Sequence, residues 1–192
     1  MDLQRPFILA LFLALFSFTA CTDAPESDDA EVGEAREEIE LSEGAHQLDI
    51  NLQESQVEWI GTKTNGRHNG YVNIKDGWVA LEDGNVTGGK FVMDMATIQA
   101  TDEKMDEESN TKLTGHLKSD DFFDVENYPE ATFTITEINP APANATEENQ
   151  DDIEEIEQYR ITDPTHMVTG NLTMKDITKS VTFPAKIEVT DS

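Results

Sequence analysis

From His46 onward, apolar and polar residues alternate with a period of two. Val57 and Trp59 fall on one face, followed by Val72 and Ile74, Val79 and Leu81, then Phe91, Met93 and Met95. Further along come Phe133 and Ile135, Leu172 and Met174, and finally Val181, Phe183, Ile187 and Val189. Strict alternation is what a strand with one buried face requires. Glu82-Asp83-Gly84-Asn85 separates two such runs, and Asp and Gly tolerate the positive φ of a tight hairpin. Gly61, Gly66, Gly70, Gly88 and Gly89 punctuate other runs. About eight strands at hairpin-like spacing predict a mainly all-β chain, either an antiparallel barrel or a sandwich. Closure into a barrel removes exposed strand edges.

One segment breaks the alternation. Asp102 is placed to cap a helix, acids crowd the positions after it, and Lys112, His116 and Lys118 come late, as the helix dipole favours. Met105, Leu113 and Leu117 share one helical face. The pattern predicts one helix, or a pair of short ones, inserted between strands and packed over one end of the barrel. A second insertion, 140–158, carries no basic residue and reads as a long solvated hairpin loop.

Charge narrows the function. The 192 residues hold 40 Asp and Glu against 13 Lys and Arg, a net charge of −27. A polyanion partner needs a basic footprint, so nucleic-acid binding is excluded. Adsorption to anionic lipid is disfavoured for the same reason. The acidity serves solubility and mutual repulsion; a saline habitat is a second reading.

Residues 1–20 contain Arg5 and the apolar run Pro6–Phe16, too short to span a bilayer and matched to a secretory signal. Phe18-Thr19-Ala20-Cys21 resembles a bacterial lipobox, which implies cleavage before Cys21 and lipidation of that thiol. Two or three acyl chains would anchor the protein, at about 0.8 kcal/mol per buried CH₂. Cys21 is the only cysteine, so no internal disulfide forms. Residues 21–44 follow as an acidic stretch with Arg36 its only basic residue, expected to be a disordered tether. Residues 45–192 form the folded domain.

Catalytic spacings are missing: no H-E-x-x-H, C-x-x-C, G-x-S-x-G or phosphate loop occurs. His46, His68, His116 and His166 are scattered without ligand spacing, so no metal is expected. Asp120, Asp121 and Asp124 do not follow the alternation of a calcium loop, and Asp120 reads as a turn cap. The inward apolar positions are either plain core or the wall of a ligand cavity. Eight strands is the size at which a barrel interior is either filled or holds one small ligand, and Met93, Met95 and Met174 suit an adaptable lining.

Four blocks in order carry a resemblance. They are SQVEWIGTK (Ser55–Lys63), NVTGGKFVMDMATI (Asn85–Ile98), LTGHLKSDDFFDVENYPEATFTI (Leu113–Ile135) and VTGNLTMKDITKSVTFPA (Val168–Ala185). Together they resemble the YceI-like family of polyisoprenoid-binding, lipocalin-like proteins of bacterial envelopes. The resemblance implies an antiparallel eight-stranded β-barrel with an elongated apolar channel for a polyisoprenoid or the isoprenoid tail of a quinone. Mapped by position, the lining includes Val57, Trp59, Val72, Phe91, Met93, Phe133, Ile135 and Phe183, with Phe122 and Phe123 near one end. It implies a non-catalytic lipid carrier without a cofactor, held to a membrane by Cys21; monomer and dimer both fit. A filled barrel acting as a surface interaction protein is the alternative.

Overall fold

The computed structural model describes residues 31–63, 66–142, 161 and 163–190. Cys21, residues 1–20 and most of the acidic insertion, 143–158, lie outside the described residues. Among the described residues eight strands form the fold: β1 (Glu31–Glu34), β2 (His46–Asp49), β3 (Gln56–Lys63), β4 (Gly66–Glu82), β5 (Asn85–Ala100), β6 (Glu130–Pro140), β7 (His166–Met174) and β8 (Ile177–Ala185). One helix, α1 (Glu107–Lys118), follows β5. All pairings are antiparallel in one sheet of order β1-β8-β7-β6-β5-β4-β2, with β3 also on β4. Strand β4 is long enough to hold both partners: β2 pairs with Trp78–Leu81 and β3 with Gly66–Asn73. Among the described residues no ladder joins β1 to β2 or β3, so backbone pairing by itself does not draw the expected closure.

The β4–β5 turn forms at Asp83-Gly84, with φ of 50° and 77°, as the Asp-Gly pair predicts. Register shifts interrupt the β4–β5 ladder three times and β6–β7 once, after Ile135. Such bulges bend a strand and raise its local twist. Two glycines admit aromatic rings into the sheet surface. A Cβ at Gly70 would collide with the Trp59 ring and the Gln99 carbonyl, and one at Gly170 would collide with the Phe133 ring.

The helix starts later than the acid pattern suggests. Its cap is Asp106, whose carboxylate accepts from the Ser109 N–H at 2.7 Å. Asp102 has a different task. It accepts from the Lys104 N–H (2.9 Å) and meets His68 Nδ1 (2.8 Å), while Asn110 bonds both its backbone N–H and its C=O. Thr114 Oγ1 accepts from the Ala100 N–H at 2.9 Å. These bonds tack α1 onto the end of β5. Leu117 then packs into the core with Val72, Met93, Met95, Ile98 and Ala131, and Leu113 lies against that group.

The acidic stretch 21–44 departs from expectation where it is described. Residues Glu31–Glu34 form β1 on the edge of β8. Beyond it the Arg36 N–H donates to Asn171 Oδ1 (2.8 Å) and Asn171 Nδ2 donates back to the Arg36 carbonyl (2.7 Å). Arg36 also pairs with Glu137, and Leu41 rests on Gly88. Composition counts apolar surface, but this segment is held through backbone bonds that an open strand edge offers to any sequence.

Two predictions follow from these contacts. Gly170→Ala should displace Phe133 and cost roughly 1–3 kcal/mol, the usual range for overpacking, read as a lowered melting temperature. For Asp102, burial pushes the carboxyl up, but His68 and the Lys104 N–H outweigh it and hold it below the ordinary 3.8. A lowered folded value gives stability present above that pH and lost as the pH falls through it. Asp102→Asn should therefore melt a few degrees below the parent at pH 7, with the gap shrinking in acid below about pH 4.

Candidate functional site

Register decides which side chains share the inward face. Val57 pairs with Val72, Trp59 with Gly70, Phe91 with Phe133, and Met93 with Ala131. Phe133 pairs onward with Leu172, Ile135 with Gly170, and Phe183 with Val168. Paired residues point to the same side of a sheet. The structure therefore places Val57, Trp59, Val72, Phe91, Met93, Phe133, Ile135 and Phe183 on one continuous apolar wall.

The wall has two zones. Under α1 it is packed: Val72, Met93, Met95, Ile98, Leu117 and Ala131 are all buried. Away from α1 it is only partly covered: Ile135 and Val168 are buried, but their large neighbours are not. Phe91, Phe133, Leu172, Val181 and Phe183 remain half-buried although they face inward. Their rings form a row, with Phe91 and Phe133 centred 6.4 Å apart and Phe133 and Phe183 5.5 Å apart. Gly170 makes the second contact possible, because the Phe133 ring occupies the space of its missing Cβ. The Trp59 indole N–H is buried without a hydrogen-bond partner on this same wall.

An apolar cleft of about 460 Å³ opens between the β7–β8 hairpin, β1 and the loop after α1. Its lining includes Val32, Phe122, Phe123, Leu172, Met174, Ile177 and Val181. Phe123 packs edge-on against Phe122 with centroids 4.6 Å apart. Of the ten residues the sequence nominates, this cleft gathers Phe122 and Phe123. The other eight stand on the wall behind it, linked through Leu172, which pairs with Phe133 and also lines the cleft. The sequence marks Leu172 and Val181 only as strand alternation and Met174 as a candidate for an adaptable lining, and it passes over Val32 and Ile177. A hairpin with bulky apolar residues beside its turn was the available signal.

A second, polar cavity of about 530 Å³ lies by the start of α1, lined by Gln99–Glu103, Asn110 and Thr114 among others. Of its carboxylates, Asp102, Glu103 and Glu107, the buried Asp102 is already engaged by His68 and Lys104, which makes it a structural tie. Among the described residues no cluster of three His, Cys, Asp or Glu side chains is arranged to hold a metal ion. Asp120, Asp121 and Asp124 lie in the turn after α1. There Asp124 adopts φ of 50° and accepts from Asn127, so its carboxylate is engaged locally. What the inward wall and its cleft can do chemically is shelter hydrocarbon from water.

The model of the YceI-like domain matches residues 48–192. Two solved structures are similar at 15% identity with a TM-score of 0.33, over 81% of this chain and 61% of theirs. One is a CJ YceI mutant with a monobromobimane guest, the other a CJ YceI mutant for nanotechnology applications. This chain thus spans less than two thirds of the length of those proteins. No curated protein matches it. The matched span takes in β3 to β8, α1 and all ten nominated wall and cleft residues, and begins inside β2. On that match, over well more than half of its length, the chain belongs to the YceI-like family.

Proposed function

We propose that this protein binds a polyisoprenoid, or the isoprenoid tail of a quinone, without catalysis, and carries or sequesters it in the bacterial envelope. One observation supports this above the rest. Large inward-facing apolar side chains stay half-buried around an open cleft of about 460 Å³, within the size range of ligand pockets. A well-filled interior would bury them. A hydrocarbon tail gains affinity from each apolar surface it covers and needs no charged partner. Lipidated Cys21 would hold the domain to a membrane, and the acidic residues after it would give the domain reach.

The packed zone under α1 favours the second reading, a filled sheet that serves as a surface interaction protein. The two readings separate by experiment. Native mass spectrometry of the protein purified from its own host should reveal a co-purifying mass that extracts into organic solvent as a polyprenyl or quinone species. A clean apo mass with no uptake of added isoprenoid would favour the filled sheet.

A substitution that fills the ligand space belongs at the cleft and not at Met93, which is buried and where a larger side chain would strain the core. Leu172→Trp should lower isoprenoid affinity by about tenfold or more, the worth of one displaced apolar contact. Titration of a fluorescent polyprenol measures this, with the melting temperature as the control for folding.

A further inference from the structure

The rim of the apolar cleft points to a partner, an inference that rests on the lipid-binding reading above. Four large apolar side chains stand in water around its mouth: Val32, Phe122, Met174 and Ile177, exposed by 69%, 46%, 37% and 64%. Met174 and Ile177 are paired across a two-residue turn, Lys175-Asp176. Both turn residues have positive φ, 49° and 60°, without the glycine that such a turn favours. Lys175 Nζ donates to the Phe122 carbonyl at 2.8 Å, which ties the hairpin tip to the loop after α1. The tip is therefore a fixed structure, and it holds hydrophobic side chains out into solvent. Exposed apolar patches of this kind mark interaction sites.

We propose that this rim docks on a zwitterionic lipid bilayer, so that the cleft opens directly to the acyl chains. Continuity favours a bilayer as occupant. The cleft floor runs through Leu172 into the apolar wall, so an isoprenoid leaving a membrane here would not cross water. Charge points the same way. The cleft's charged residues are two lysines, Lys175 and Lys179, and one aspartate, Asp121, whereas the whole chain carries −27. The docking face thus carries one excess positive charge, which lipid phosphates do not repel, whereas the molecule as a whole disfavours anionic lipid.

Brominated-lipid quenching tests this on the full chain. In vesicles of phosphatidylcholine brominated along its acyl chains, the added emission of Ile177→Trp should be quenched. That of Leu52→Trp, an exposed apolar site outside the cleft, should not. Adding phosphatidylglycerol at low salt should weaken the quenching, and salt should restore it. Equal quenching at the two positions, or none at position 177, overturns the proposal. So does burial of the new Trp in a protein dimer without vesicles. Uptake of a polyprenol from detergent micelles, measured on the same protein, keeps the two readings apart. Quenching without uptake leaves the docking standing and removes the isoprenoid ligand; uptake without quenching does the reverse.

Discussion

The sheet has one apolar face and, among the described residues, a single helix to cover it. Burial of that face drives the fold, because removing apolar surface from water is the dominant favourable contribution. Leu113 and Leu117 of α1 cover the end built from Val72, Met93, Met95 and Ile98. Away from α1 no second helix covers the sheet among the described residues; Ile135 and Val168 are still buried there, but Phe91, Phe133, Leu172, Val181 and Phe183 stay half-buried. The cleft is what remains when a one-sided core is covered at one end. Stability and ligand space thus share the same strands, with the open part confined to the side chains around the cleft.

Polar groups fix the geometry without entering the wall. The contacts of Asp102 with His68, Lys104 and Asn110 lie at the junction of β4, β5 and α1, where they set how the helix sits over the core. Buried polar atoms are tolerable there because each finds a partner. The pairs at the perimeter, Lys75–Glu130, Lys179–Glu34 and Lys112–Glu108, are exposed and contribute little. The N-terminal strap works differently again. It covers the β8 edge with β1 and then crosses to β7 through Arg36 and Asn171, and the span matched by the family begins only at residue 48. The strap lies outside that span and shields an edge otherwise open to pairing.

Much of this was legible in the residues. Alternation located β3 to β8, because a sheet with one dry face has to alternate. Asp83-Gly84 announced its hairpin through the backbone freedom of Gly and the tolerance of Asp. The inserted helix was legible from its charge order and leucine spacing. Its cap was not: several acids precede it, and only the path of the chain out of β5 makes Asp106 the cap and leaves Asp102 to His68. Strand β1 was invisible, since its glutamates bind through backbone groups that every residue carries.

The sequence by itself determined strands β3 to β8, the identity of the inward face and the family, because periodicity and local motifs are written residue by residue. Tertiary structure alone decided which part of that face is packed and which is open. That depends on where α1 lands, on how the bulges turn the strands and on Phe133 leaning over Gly170. These are contacts between residues far apart in the chain, and no local pattern encodes them. The same holds for the apolar rim, where Val32, Phe122 and Ile177 meet only after the sheet has formed.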